Sequence, residues 1–110
     1  MGKFTVGEIV LIKFPYSDLS NSKKRPALVI GLAEFGNVIL CQITSSTFSS
    51  NISIEITERD IIKGALPVTS YIRPDKIFTA DTTIIAKKLG LLNPRKIVQV
   101  KTTLYSIFDI

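Results

Sequence analysis

The sequence lacks two residue types entirely, since its 110 residues include no histidine and no tryptophan, and it has a single cysteine, Cys41. Histidine is the most frequent metal ligand and the most frequent general base in proteins, so both roles fall to other side chains. One thiol cannot form an internal disulfide, and one thiol with carboxylates is a poor set of ligands for zinc. We therefore expect no metal and no cofactor, and any catalysis must use Arg, Lys, Asp, Glu, Ser, Thr or Tyr.

The chain also lacks a long hydrophobic run, because no uninterrupted apolar stretch approaches the roughly 20 residues that cross a membrane. Its first residues, MGKFTVGEIV, are too polar and too short for a signal peptide. These features predict a cytoplasmic location with no membrane contact. The hydrophobic fraction of 45% argues against disorder, and the length predicts one small domain over residues 1–110.

Acidic residues are in the minority, with 9 Asp and Glu against 14 Lys and Arg, a formal net charge of +5. A basic surface on a small domain favours polyanionic partners, either nucleic acid or an acidic protein segment.

Short apolar segments bounded by turn residues are the main pattern present, and they predict six or seven strands. Phe35, Gly36 and Asn37 supply a tight turn between the second and third strands, which predicts a hairpin. The segment 84–92 is apolar but contains Lys87 and Lys88, which is typical of an exposed edge strand. The predicted strands cover residues 6–14, 26–32, 38–44, 52–56, 68–73, 77–80 and 84–92.

Two segments carry helix signals. Residues 57–64 are predicted as a short helix, with Thr57 as the cap and Asp60 at the third position. Asn93 followed by Pro94 marks the start of an amphipathic helix that covers the C-terminal residues. The expected fold is mainly β, a small antiparallel barrel or curled sheet with the C-terminal helix against one side.

The most informative stretch is a polar segment that ends in Lys23-Lys24-Arg25-Pro26, immediately before an apolar strand. Pro26 restricts the backbone of Arg25 to extended conformations, which limits where its side chain can point. The guanidinium presents paired donors that match phosphate oxygens. This pattern favours a phosphate site at the start of the strand, although an exposed arginine without a partner is the alternative interpretation.

Six short stretches in series resemble the MazF/PemK (Kid-like) toxins of type II toxin–antitoxin modules. The Arg-Pro element is the most specific of them, and together they cover nearly the whole chain. The matching residues are Gly7-Glu8-Ile9-Val10-Leu11 with Phe14-Pro15 and Lys24-Arg25-Pro26-Ala27-Leu28-Val29-Ile30, then Gln42-Ile43-Thr44-Ser45, then Ser70-Tyr71-Ile72-Arg73-Pro74-Asp75-Lys76-Ile77-Phe78-Thr79, and finally Leu89-Gly90-Leu91-Leu92 before the capped helix.

The resemblance implies an SH3-like barrel, a homodimer, and a metal-independent endoribonuclease that cuts mRNA at short single-stranded sequences. It also implies a cognate antitoxin whose acidic or apolar tail fills the RNA site. Contact with operator DNA is expected only for the toxin–antitoxin complex.

The same resemblance assigns catalytic roles to three residues. Arg25 would stabilise the charge on the pentacovalent phosphorane, and Thr44 would hold a phosphate oxygen or the leaving group by a hydrogen bond. Asp75 is the candidate base that takes the proton from the 2′-hydroxyl. The alternatives are a solvated arginine, local bonding of Thr44 within its turn, and a surface ion pair between Asp75 and Arg73.

Four further residues are candidates for RNA binding. Lys23 and Lys24 would attract RNA in a sequence-independent and salt-sensitive way, or would serve only to keep the loop soluble. Ser45 follows Thr44 at the end of its strand, and Arg73 lies two residues before Asp75, so that in an extended segment both side chains face the same side.

Two other functions fit the sequence. The same barrel can be a binding module that holds nucleic acid or a protein tail on its basic face without catalysis. It can also be a gyrase inhibitor of the related CcdB type, against which the Arg-Pro element argues.

Overall fold

A single antiparallel sheet of seven strands, followed by one helix, forms the structure, a computed structural model that describes residues 3–13, 24–46 and 50–109. The strands lie in the order β4-β6-β3-β2-β1-β7-β5, and the sheet curls into a half-barrel. The predicted mainly β class with a C-terminal helix is confirmed. The elements are β1 (Glu8–Lys13), β2 (Lys24–Leu32), β3 (Asn37–Thr44), β4 (Ile54–Ile56), β5 (Ile61–Gly64), β6 (Ser70–Asp81), β7 (Ile85–Leu92) and α1 (Pro94–Ile107).

Both faces of the sheet carry buried apolar side chains, because successive residues of a strand point to opposite faces. On what we call the helix-side face, Ile9, Leu28 and Cys41 pack in one cluster with Val100 of α1. The opposite face buries a second cluster. The strands are apolar almost throughout because both of their faces are buried. The second cluster consists of Val10, Ile12, Ala27, Val29, Val38, Leu40 and Ala80.

The β2–β3 hairpin turns at the residues that the sequence predicts. Phe35 and Gly36 have φ values of 62° and 74°, and the Asn37 N–H donates to the Glu34 carbonyl oxygen at 3.2 Å. Two successive residues with positive φ define the turn type that matches the twist of paired strands. The predicted hairpin is confirmed.

Helix α1 also begins where the sequence predicts. The Asn93 side chain accepts hydrogen bonds from the Arg95 N–H at 2.8 Å and the Lys96 N–H at 3.1 Å, and Pro94 is the first helical residue. These bonds satisfy two N–H groups that have no partner within the helix. The helix packs its apolar side, with Val100 buried, onto the helix-side face.

The predicted helix over residues 57–64 is wrong beyond its first turn. The cap is present, since Asp60 Oδ2 accepts from the Thr57 N–H at 2.9 Å, but the 3₁₀ turn covers only Glu58–Asp60. The next residues form β5 and pair with β7. Tertiary pairing overrides the local helix signal, and the β-branched Ile61 and Ile62 fit a strand well.

The prediction of an exposed edge strand at 84–92 is also wrong. β7 lies between β1 and β5, and β4 and β5 are the outermost strands of the described sheet. Lysines on β7 therefore do not protect a free edge, because both sides of the strand make hydrogen bonds.

Pro74 does not divide its segment into two strands, as the sequence suggested. β6 runs from Ser70 to Asp81, and its pairing with β3 jumps from Gln42–Arg73 to Cys41–Ile77. The residues in between bulge out of the ladder, and this removes the need for the N–H that proline lacks.

No helix in the described residues is long and apolar enough to span a bilayer.

Replacing Gly64 by alanine is expected to destabilise the fold more than the same change at Gly36. Both glycines have positive φ, 91° and 74°, so each substitution costs roughly 1–2 kcal/mol for the left-handed conformation. At Gly64 the new Cβ would also collide with the Leu89 carbonyl oxygen and lie 2.6 Å from Gly90 Cα, whereas at Gly36 the nearest atom is 4.0 Å away. Urea denaturation should show a loss of about 2–4 kcal/mol for Gly64→Ala. Equal losses in the two variants would contradict the close approach of β5 to β7.

Candidate active site

An open groove of about 430 Å³ lies at the end of the sheet where β2 begins and β3 ends. Two cations and several hydroxyl groups line it, together with apolar side chains from the strands and from residues 66–68. The antiparallel register creates this arrangement, because it brings the first residues of one strand beside the last residues of its neighbour. The lining residues are Lys24, Arg25, Pro26, Ile43, Thr44, Ser45, Ser46, Leu66, Pro67, Val68, Ser70 and Leu89.

Arg25 is the second residue of β2 and pairs with Ile12 of β1. The next residue, Pro26, is half-buried and pairs with Leu11, so the backbone of Arg25 is held in the sheet while its side chain is exposed. The guanidinium makes no ion pair and no hydrogen bond with the residues that the structure describes. No residue among those described therefore competes with a ligand in the groove for these donors.

Thr44 ends β3 on the same side of the groove. Ala27 pairs with Gln42, and extending this register by two residues on each strand puts Arg25 beside Thr44. The Thr44 hydroxyl oxygen accepts a hydrogen bond from the Ser46 N–H at 3.2 Å, which is the local turn bonding that the sequence offered as an alternative. A hydroxyl that accepts one bond still has its hydrogen to donate, so this bond orients Thr44 without occupying it.

The other predicted RNA-binding residues divide into three cases. Lys24 and Ser45 are exposed and line the groove. Lys23 lies outside the described residues. Arg73 is on β6 and does not line the groove. Because Thr44 pairs with Tyr71, Arg73 is the diagonal neighbour of Thr44 on the paired strand. Diagonal neighbours in an antiparallel pair are typically about 7–8 Å apart.

Arg73 and Asp75 form a two-point ion pair. Arg73 Nη2 donates to Asp75 Oδ2 at 2.8 Å, and Arg73 Nε donates to Asp75 Oδ1 at 3.3 Å. Mainly because of these hydrogen bonds, the pKa of Asp75 lies below its ordinary value of 3.8. The carboxylate is thus ionised at neutral pH but only weakly basic. The pairing predicted from the two-residue spacing is confirmed, whereas the role of Asp75 as a base stays a prediction.

One wall of the groove was not anticipated from the sequence. Leu66, Pro67 and Val68 form it, and the Ser70 hydroxyl donates to the Val68 carbonyl oxygen at 3.0 Å, which ties the wall to the start of β6. The sequence predicted that 68–73 is a strand and so placed part of this wall in the sheet. Pro67 is the sequence feature that could have indicated this, because proline cannot donate a hydrogen bond to a strand ladder and so favours a strand that begins after it.

The chemistry available in the groove is that of cations and hydroxyl groups. Its described lining contains no carboxylate, imidazole or thiol, and within residues 3–13, 24–46 and 50–109 no three potential metal-ligating side chains come together. Cys41 is fully buried in β3, and burial together with the charge of Asp75 raises the pKa of its thiol to about 12. A neutral, inaccessible thiol is not a nucleophile.

The fold and the groove together define a small antiparallel half-barrel with a C-terminal helix and a cationic, hydroxyl-bearing groove at one end of its sheet. Comparison with models of protein families matched residues 5–108 to the PemK-like, MazF-like toxins of type II toxin–antitoxin systems. The chain belongs to this family, and the resemblance seen in the sequence is confirmed. A search of curated protein sequences found no significant match.

Solved structures share the fold over nearly the whole chain. A MazE–MazF complex from Deinococcus radiodurans has a TM-score of 0.76 at 18% identity, covering 96% of this chain and 95% of that one. An endoribonuclease in complex with its cognate antitoxin, from a mycobacterial species, has a TM-score of 0.75 at 17% identity, with coverages of 94% and 93%. The Mycobacterium tuberculosis toxin MazF-mt6 has a TM-score of 0.72 at 18% identity, with coverages of 94% and 97%. At these identities the likeness establishes the fold.

Replacing Asp75 by asparagine is expected to lower stability at neutral pH, and to lower it less in acid. A carboxyl group whose pKa is depressed by folding contributes stability above its unfolded pKa of about 3.9, and loses it as the pH falls through the lower folded pKa. The pair is partly exposed, so the loss at pH 7 should be at most about 1 kcal/mol. Urea unfolding at neutral pH and at about pH 3 measures the difference between wild type and variant.

The matched control is Asp109→Asn, because Asp109 is an exposed carboxyl group without an ion pair among the described residues. The control should behave as wild type at both pH values. A loss in Asp75→Asn of the same size at both pH values would show that the charge of Asp75 does not stabilise the fold.

Proposed function

We propose that this protein is a toxin that acts as a metal-independent, sequence-specific endoribonuclease on single-stranded mRNA. The observation that carries the proposal is the position of Arg25, which lines the groove beside Thr44 without a protein partner in the described structure. Membership of the toxin family and the fold shared with proteins described as endoribonucleases support it.

The proposed reaction uses the substrate's own 2′-hydroxyl as the nucleophile. As the 2′-oxygen bonds to phosphorus, a base takes its proton, and the bond from phosphorus to the 5′-oxygen breaks as that oxygen gains a proton. The products are a 2′,3′-cyclic phosphate and a free 5′-hydroxyl. This chemistry needs proton transfers and a stabilised phosphorane. A groove lined by an arginine, a lysine and hydroxyl groups is suited to stabilising the phosphorane.

Arg25 would donate paired hydrogen bonds to the non-bridging phosphate oxygens, on which negative charge increases in the transition state. Thr44 would donate its free hydroxyl hydrogen to one of these oxygens or to the leaving 5′-oxygen. Its bond from the Ser46 N–H would hold it in place for this role. Ser45, next along the groove, would bind the adjoining part of the strand.

Asp75 would serve as the base, with Arg73 holding the carboxylate and binding RNA on the β6 side of Thr44. Each Asp75 oxygen accepts one hydrogen bond from Arg73 and has a second lone pair with which it would take the proton. Lys23 and Lys24 would attract the RNA backbone toward Arg25.

The toxin would be neutralised by a cognate antitoxin whose acidic or apolar tail occupies the groove. The apolar residues 66–68, which line the groove together with the cations Lys24 and Arg25, suit such a tail. Solved complexes with the same fold contain an antitoxin, and a homodimer follows the family expectation. In this proposal the chain is one domain over residues 1–110, works in the cytoplasm, and contacts operator DNA only as part of the toxin–antitoxin complex.

Replacing Arg25 by alanine is expected to lower kcat/KM for cleavage of single-stranded RNA by about 10²–10³-fold, because the phosphorane loses its main charged donor. The assay is run in EDTA, with the new 5′ ends sequenced to read the cleavage motif. The matched control is Arg95→Ala, since Arg95 is an exposed arginine in the first turn of α1 and does not line the groove.

Cleavage by wild type in EDTA, with Arg95→Ala unchanged and Arg25→Ala impaired, would support the proposal. RNA binding without cleavage would show a binding module instead. Inhibition of DNA gyrase with RNA left intact would show a gyrase poison of the CcdB type.

Asparagine at position 75 is expected to lower kcat by about 10²-fold or more if this carboxylate is the base. Because the pKa of Asp75 lies below 3.8, the base is already deprotonated throughout the range from about pH 5 to pH 8. The wild-type rate should therefore show no acid limb belonging to Asp75 in this range. An unchanged kcat in Asp75→Asn, with stability at neutral pH lowered as above, would assign the base to another residue.

A further inference from the structure

Three lysines, Lys13, Lys24 and Lys87, lie on one face of the sheet next to the groove. Lys13, the last residue of β1, pairs directly with Lys24 of β2. Lys87 of β7 pairs with Leu11, and Leu11 points to the same face as Lys13 because the two are two residues apart on one strand. All three lysines are exposed. The result is a cluster of three positive charges across three adjacent strands.

The cluster is continuous with the groove. Lys24 itself lines the groove, and Pro26, another lining residue, pairs with Leu11 between Lys13 and Ile9. Leu89 also lines the groove, and it packs on the helix-side face against the cluster that contains Ile9 and Val100. Lys87 lies two residues before Leu89 on β7 and points to the same face. A strand leaving the groove past Lys24 therefore meets Lys13 and then Lys87.

These charges are not neutralised within the described structure. None of the three lysines has an ion pair there. Lys13 and Lys24 lie directly opposite each other on paired strands, and like charges in this position are destabilising. Lys88, the neighbour of Lys87, is different: its ammonium group lies 3.0 Å from Glu8 Oε2 and donates to the Lys3 carbonyl oxygen at 2.7 Å. Lys88 is thus used within the fold, whereas the three lysines of the cluster are presented to solvent.

We propose that Lys13, Lys24 and Lys87 form a second anion subsite, which binds backbone phosphates of the RNA strand as it leaves the groove. The inference rests on the proposed function, because it extends the path of the same substrate. A polymer with one negative charge on each unit can engage the groove cations and the cluster together. Lysine ammonium groups on flexible stems suit phosphates whose exact position varies with sequence.

The test separates binding from cleavage by using a fluorescent single-stranded 2′-deoxy oligonucleotide of mixed sequence and about 12 nucleotides, which has no 2′-hydroxyl to attack. Its dissociation constant is measured by anisotropy over a range of salt concentrations. Each phosphate contact contributes about 0.7 to the slope of log K against log salt for a single strand. The double variant Lys13→Gln/Lys87→Gln should therefore lower the slope by about 1.4.

The control Lys101→Gln removes an exposed lysine from α1, which is not part of the cluster, and should leave the slope unchanged apart from the small effect of net charge. A second variant, Lys13→Glu, places an opposite charge across from Lys24. It should raise the Tm by about 1–5 °C while it weakens oligonucleotide binding. A merely structural Lys13 would show the gain in Tm without the loss of binding.

An unchanged salt slope in the double variant, with wild type active on RNA, would overturn the subsite and leave the proposed function intact. Weaker binding of an acidic peptide together with an unchanged oligonucleotide slope would overturn it in favour of a protein partner. A reduced slope in a protein that binds but never cleaves RNA would support the subsite while the proposed function fails.

Discussion

The pairing of β2 with β1 on one side and β3 on the other is the constraint on which the rest of the structure depends. It sets Arg25 opposite Ile12 and, by the same register, beside Thr44, so that a cation and a hydroxyl group from separate strands reach one groove. A shift of one residue would turn Arg25 to the other face of the sheet. The buried Ala27 and Leu28 lie on opposite faces and hold this register, because a shift would put each in the packing space of the other, a small side chain in place of a large one.

The half-barrel separates stability from chemistry by position along the strands. Middle residues of β1, β2 and β3 fill the two apolar clusters, and the polar and charged side chains lie at strand ends. A groove at the end of a sheet can therefore hold unpaired cations without burying them, which would be costly. The Arg73–Asp75 pair lies outside this groove, and its two hydrogen bonds hold the two charges together.

Much of the fold follows from local chemistry. The β2–β3 hairpin and the Asn93 cap were predicted correctly because both depend on a few neighbouring residues. The helix predicted over 57–64, the edge assignment of β7 and the division of β6 at Pro74 were wrong for one shared reason. In each case the partner strand, β7, β5 or β3, decided the conformation, and the identity of a partner strand is not encoded in the segment itself.

For the site, the sequence by itself determined which side chains are available: an arginine before a proline, a threonine and serine at a strand end, and no histidine. It also determined family membership, because the motifs occur in series along the chain. Only the tertiary structure decided that Arg25, Thr44 and Ser45 share a groove, that residues 66–68 form its wall, and that Lys13 faces Lys24. Those proximities arise from hydrogen bonding between strands distant in sequence, and this pairing is settled when the whole sheet forms.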